Sequence, residues 1–206
     1  MKRTAGMFAI TVGIVVLIAA SPMNRTADEA PDFTLTDTYG QSHTLSEYAG
    51  KWVVLEWLNY DCPYVRKHYN GQNMQALQEK YTEKGVIWLS IVSSAPGTQG
   101  YFPNNEMNAR TESHNGQQTA VLIDESGEVG RAYGALVTPH MYVITPDGEI
   151  VYNGAIDDKP TANPVSLETA RNYVVEALDA AMAGEPVPTP TSQPYGCTVK
   201  YRGGSR

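Results

Sequence analysis

Two apolar runs constrain this chain more than anything else in it: Trp52 to Leu58 (WVVLEWL) and Val86 to Val92 (VIWLSIV). Neither alternates with polar residues, and both are rich in β-branched and aromatic side chains, so each reads as a strand buried on both faces. Between them, Pro63 to Lys84 has helical periodicity with a break expected at Gly71; Tyr69, Met74, Leu77 and Tyr81 form one apolar stripe. A strand, a helix and a strand in that order require parallel strands joined by a right-handed crossover. The fold class is therefore α/β.

The flanking segments extend this unit. Pro31 to Asp37 alternates apolar and polar residues, meets Tyr39-Gly40, and returns over Ser42 to Leu45, predicting an N-terminal β-hairpin. Ser93 to Asn105 is rich in Ser, Gly and Pro and reads as a loop, with a short helix over Met107 to His114. Ala120 to Ile123 is a strand and Glu128 to Tyr133 a short helix. Met141 to Ile144 and Glu149 to Tyr152 flank Pro146-Asp147-Gly148 as a second hairpin, expected at the sheet edge. Ser166 to Ala183 reads as a closing helix with Ser166 as its N-cap. The result is a central mixed β-sheet with helices on both faces.

Both ends differ from this body. Lys2 and Arg3 precede a nearly uninterrupted apolar stretch from Ala5 to Ala20, so residues 1–24 are expected to be a signal peptide or a membrane anchor. That orientation predicts an exported protein, periplasmic or tethered and facing away from the cytoplasm. Residues 30–183 form the expected domain. Residues 184–206 carry Pro186, Pro188, Pro190 and Pro194 and are expected to be an extended, unpacked tail. With 15 basic against 22 acidic side chains and a net charge of −7, nucleic acid and anionic membrane surfaces are not expected partners.

Cys62 and Cys197 are the only cysteines. Cys62 follows the first apolar run and precedes Pro63, which suits a first helical position. A thiol at a helix N-terminus has its thiolate favoured by backbone N–H groups and the helix dipole. Arg66 and Lys67, one turn on, are expected to add positive charge. A small buried hydrophobe is the competing reading of Cys62. Glu56 is the one charge inside the first buried run. Burial raises a carboxyl pKa, so Glu56 is expected to titrate high and to shuttle the proton of Cys62. His43, His68 and His114 have no ligand spacing, and no metal or cofactor is expected.

A hydrophobic strand with an acidic residue six before a cysteine, then a helix, resembles thioredoxin. Tyr133-Gly134-Ala135-Leu136-Val137-Thr138-Pro139, followed by the hairpin, resembles the cis-proline element of that fold. Ala30-Pro31-Asp32-Phe33-Thr34-Leu35 and Gly50-Lys51 resemble the redoxin branch. That branch includes peroxiredoxins (the alkyl hydroperoxide reductase and thiol-specific antioxidant family) and membrane-tethered thiol–disulfide oxidoreductases. Cys62-Pro63-Tyr64-Val65 and Gly196-Cys197 through Tyr201 match a bacterial peroxiredoxin-like group. The resemblance implies a thioredoxin-like fold, a cis Thr138–Pro139 bond that shapes a substrate groove, and a site built from Cys62, Cys197, Glu56, Thr138 and Pro139.

The departures narrow the chemistry. Val65 stands where thioredoxin has its second cysteine, so a CxxC disulfide is excluded. Peroxiredoxins place Pro and Thr seven and three residues before the reactive cysteine; here those positions are Leu55 and Asn59. Residues 184 to 196, extended at about 3.1 Å each, reach ~40 Å, against a radius of gyration near ~15 Å for a body of this size. The tail can therefore bring Cys197 to Cys62, with Tyr195 and Tyr201 docking it and Gly196 permitting close approach. The expected function is a thiol-dependent oxidoreductase with Cys62 as nucleophile and Cys197 resolving. Its substrates would be protein thiols and disulfides or peroxides, and an external thiol would be the reductant. The alternative is a non-catalytic binding module stapled by a Cys62–Cys197 disulfide.

Overall fold

A computed structural model describes residues 28–204. The signal or anchor expected over residues 1–24 lies outside the described residues, and no helix among the described residues is long and apolar enough to cross a membrane. The strands are β1 (Asp28–Glu29), β2 (Thr34–Asp37), β3 (Ser42–Thr44), β4 (Val53–Trp57), β5 (Ile87–Val92), β6 (Ala120–Ile123), β7 (Val137–Thr138), β8 (His140–Ile144), β9 (Glu149–Gly154) and β10 (Cys197–Thr198). The α-helices are α1 (Pro63–Asn70), α2 (Asn73–Thr82), α3 (Asn104–Ser113), α4 (Glu128–Ala132) and α5 (Tyr173–Met182).

Eight strands form one sheet in the order β1-β9-β8-β4-β5-β6-β2-β3, and β7 pairs separately with β10. β4, β5 and β6 are parallel neighbours, and the remaining pairings are antiparallel. The sheet is therefore mixed, as the two buried runs and two hairpins predict. β4 is central and its side chains alternate between two cores. Val54 and Leu58 pack with α1, α2, α3 and α5 on one face. Val53, Leu55 and Trp57 pack on the other with Phe33, Leu45, Tyr133 and Tyr201. Glu56 lies in phase with Val54, so its carboxyl points into the first core.

The helical segment breaks at the expected place. Gly71 caps α1, and a Cβ there would lie 2.3 Å from Leu167 Cδ1, so any larger residue would displace that side chain. Three expectations are corrected. The β8–β9 hairpin does not form the sheet edge: β1 pairs with Glu149 and Ile150, and Thr191 bridges to Asn153, so exposed backbone groups of β9 acquire partners. Ser166 is not a helix N-cap. It lies in a 3-10 segment, Pro164–Thr169, and α5 starts at Tyr173, where the Asn172 side chain accepts from Val175 N. Asn163 and Asn172 each supply a cap acceptor, which splits one expected helix into two pieces.

The third correction concerns residues 184–204. They are extended but packed. Asn153 N donates to Pro190 O and Ser192 N to Asn153 O. Ser192 Oγ accepts from Ala155 N at 2.9 Å. Further on, Val199 and Tyr201 are buried in the second core, and Tyr201 OH donates to Ala135 O at 2.7 Å. Proline spacing keeps this segment from forming helix, but the N–H groups of Ser192 and Val199 and the hydroxyls of Tyr195 and Tyr201 find partners on the body.

Candidate active site

The loop leaving β4 sets the position of Cys62. Asn59 Oδ1 accepts from Asp61 N at 2.9 Å, and Asn59 O accepts from Cys62 N at 3.0 Å. This Asx-type turn delivers the chain to α1 with Cys62 as N-cap and Pro63 at the first helical position. Cys62 has extended backbone angles, φ −71° and ψ 124°, and its carbonyl accepts the first helical bond, from Arg66 N. Its side chain makes no capping bond to the first turn. Cys62 is fully buried, and its Sγ donates to Thr138 O at 3.1 Å.

Thr138 belongs to β7. The Thr138–Pro139 peptide is cis, and β8 begins at His140, paired with Trp57 at the end of β4. β10 completes the arrangement by pairing antiparallel with β7, setting Cys197 directly opposite Thr138. Both cysteines are free thiols, Cys62 buried and Cys197 half-buried beside it. Burial, then the neighbouring Cys62, pushes the Cys197 thiol up to about 12, against weaker pulls from Lys200 and Arg66. Gly196 is what allows this approach: a Cβ there would lie 2.0 Å from Thr138 O. Cys62, Thr138, Pro139 and Cys197 thus converge in one place.

Glu56 sits elsewhere, in a closed network. It accepts from Trp88 Nε1 at 3.0 Å, Ser90 Oγ at 3.0 Å, Tyr69 OH at 3.1 Å and Gln78 Nε2 at 3.2 Å. Complete burial raises its pKa even though all four donors pull it down. It has no hydrogen bond with Cys62. It is linked to the site through α1, which carries Tyr69 and has Cys62 as its N-cap.

Lys67 requires a correction. Its charge is not offered to the thiol. Lys67 Nζ is buried against Asp157 Oδ2 at 2.8 Å, Lys159 O at 2.8 Å and Tyr195 OH at 3.0 Å. Asp157 and Tyr195 arrive from distant segments, so nothing near Lys67 in the chain foretells them; an aspartate directly after the apolar pair Ala155-Ile156 is the only local signal. Arg66 is exposed. His140 is a packing residue: its Nε2 meets Asn153 Oδ1 at 2.8 Å, and burial lowers its pKa to about 4. Val65, in the place of a second motif cysteine, is buried in the first core. Arg110 joins Asp61 at 3.0 Å beside the Cys62 loop, a contact not expected from the sequence. Among the described residues no group of three or more His, Cys, Asp or Glu side chains could hold a metal ion.

A parallel β4–α1–β5 unit, a cysteine capping α1 and a cis-proline facing it define a thioredoxin-like redox fold, and solved thioredoxin domains share this fold. The profile of the AhpC/TSA family matches residues 26–153, and the chain belongs to that family. It is similar to the thiol-disulfide oxidoreductase ResA of Bacillus thuringiensis subsp. konkukian (strain 97-27), 28% identical over 125 residues, covering 60% of this chain and 65% of that one. It is also similar to the selenocysteine-containing peroxiredoxin PrxU of Peptoclostridium acidaminophilum, 33% identical over 134 residues, covering 59% and 63%. The match thus spans just under two thirds of the length of these curated relatives. An uncharacterized conserved protein from Geobacillus kaustophilus superposes with a TM-score of 0.74 at 28% identity, over 89% of this chain and 96% of that one.

Proposed function

We propose that the protein is a thiol-dependent oxidoreductase that cycles between a Cys62/Cys197 dithiol and a disulfide. The observation that carries this reading is the convergence of the two thiols: β10 sets Cys197 opposite Thr138, whose carbonyl accepts from Cys62 Sγ at 3.1 Å. Cys62 is the nucleophile because it stands at the start of α1, ahead of Pro63 and against the cis Thr138–Pro139 peptide. Cys197 resolves. Burial and the neighbouring Cys62 keep Cys197 protonated.

With a peroxide, the Cys62 thiolate attacks one oxygen, the O–O bond breaks, and the alkoxide or hydroxide takes a proton; Cys62 becomes a sulfenic acid. The Cys197 sulfur then attacks the Cys62 sulfur, the S–O bond breaks, and water leaves. With a disulfide substrate, Cys62 forms a mixed disulfide and releases one thiol, and Cys197 releases the other. In either case an external thiol returns the pair to the dithiol. Names of both kinds occur among the relatives. The tail favours a peroxide: it occupies the β7 edge that a polypeptide would pair with, whereas a small peroxide needs no such edge.

Thr138 and Pro139 shape the groove around Cys62, and Glu56 is proposed to set the proton balance beneath α1 through Tyr69. The expected organisation is a leader over residues 1–24, a catalytic body over 30–183 and a redox tail over 184–206, acting outside the cytoplasm where disulfides persist. Hydrogen peroxide added to the reduced protein should yield a Cys62–Cys197 disulfide by mass spectrometry, and Cys197→Ser should accumulate Cys62 sulfenic acid. A Cys62 that oxidises no faster than free cysteine, with a small disulfide reacting instead, selects thiol–disulfide exchange. A Cys62–Cys197 bond that resists dithiothreitol in the folded protein selects the static staple of a binding module.

A further inference from the structure

We propose that Tyr195, seated on the buried Lys67–Asp157 pair, is the positioning residue that holds Cys197 over Cys62 for the resolving step. This rests on the two-thiol cycle proposed above. The Tyr195 hydroxyl donates to Asp157 Oδ1 and accepts from Lys67 Nζ at 3.0 Å. His68 Nε2 lies 3.4 Å from the same hydroxyl, and the Tyr195 ring meets Tyr64 edge to face at 5.7 Å. Lys67, His68 and Asp157 are each at most 2% exposed. Burial holds His68 down to about 3. It is therefore neutral, and the ion pair beneath Tyr195 is the 2.8 Å contact of Lys67 with Asp157.

The placement matters more than the strength of the cluster. Tyr64, Lys67 and His68 all belong to α1, the helix whose N-cap is Cys62. Tyr195 stands two residues before Cys197, with Gly196 pressed against Thr138 between them. One rigid helix therefore fixes the nucleophile at its end and the tail at its second turn. Beyond Cys197, Val199 and Tyr201 are buried in the second core, so the tail is held on both sides of its thiol. Bonding between two sulfurs on one chain is fast when their geometry is fixed in advance, because no orientational freedom remains to be lost. Tyr195 touches neither sulfur. It acts only through the position of Cys197.

The test separates the two steps in the full chain. The first step is read as loss of the Cys62 thiol on adding hydrogen peroxide, in a Cys197→Ser background. The second is read as formation of the Cys62–Cys197 bond, in which the S–S bond forms as the S–O bond breaks and water leaves. Tyr195→Ala should leave the first rate within twofold and slow the second at least tenfold. A dithiothreitol series should shift toward the dithiol by a similar factor; tenfold corresponds to about 30 mV for this two-electron couple. Tyr195→Phe keeps the ring on Tyr64 and loses only the hydroxyl, so it should give a smaller slowing of the second step alone; it decides the matter if the alanine variant is unfolded by circular dichroism. Bond formation at the unsubstituted rate in these variants, or an equal loss in both steps, overturns the positioning role. Failure of the unsubstituted protein to form the bond at all overturns the two-thiol cycle instead.

Discussion

Helix α1 sends polar side chains to two buried carboxylates, and the two are satisfied in opposite ways. Tyr69 reaches Glu56, whose other partners, Trp88, Ser90 and Gln78, are also neutral donors. Lys67, two residues earlier and so on nearly the opposite side of the helix, reaches Asp157 with a full positive charge. Neutral donors weaken the effect of burial without cancelling it, so Glu56 stays poised toward its protonated form. A buried ion pair instead joins two opposite charges, and removing one member leaves the other uncompensated. The first arrangement suits a group that exchanges a proton. The second suits a fixed anchor for a docked segment.

Substitutions on the two sides should therefore behave differently. Lys67→Met leaves a buried carboxylate without its cation and should cost about 3–5 kcal/mol, the usual loss when one half of a buried pair is removed. Urea unfolding checks this, and a loss below about 1 kcal/mol would remove the distinction between the two sites. Adding Asp157→Leu to Lys67→Met should recover most of the stability, because a buried pair replaced by apolar groups is often neutral. Trp88→Phe should cost about 1–3 kcal/mol, since it takes one donor from a buried acceptor. It should also raise the Glu56 pKa further, measured as a carboxyl carbon shift by NMR.

Glu56→Gln should have the smallest effect and the most diagnostic pH dependence. A carboxyl whose folded pKa lies above its ordinary value of 4.5 stabilises the fold fully below that value. The contribution then fades as pH rises toward the folded pKa. Glutamine does not titrate, so the stability of Glu56→Gln relative to the unsubstituted protein should improve from pH 5 to pH 8. The same relative stability at both pH values would place Glu56 among ordinary ionised carboxylates.

The features that the sequence makes plain are the local ones. β4 and β5 are continuous apolar runs, Cys62-Pro63 is a helix start, and Gly71 is a helix stop; each follows from neighbours within a few residues. Glu56 is also legible, because a lone charge in a doubly buried strand has only one face to occupy. Lys67 is the opposite case. Its position one turn from Cys62 suggests a role at the thiol, but its partners lie near residues 157 and 195, and only the assembled sheet brings them to it. Proline content announces that residues after 184 are extended, yet it carries no information about what they pair with. Ser166 fails as a cap because Asn172 caps a later start, and cap preferences alone do not choose between two acceptable residues.

The meeting of Cys62 with Cys197 has a thermodynamic consequence. A bond between them would close a loop of roughly 135 residues, which in the chain-entropy description restrains the unfolded ensemble by about 5 kcal/mol. Folding and electron transfer then become two legs of one cycle, and the closed cycle makes them reciprocal. A reductant that opens the bond would lower the melting temperature of the whole body, and a denaturant that unfolds the body would make the bond easier to reduce by the same free energy. The melting temperature would then report the redox poise around the protein.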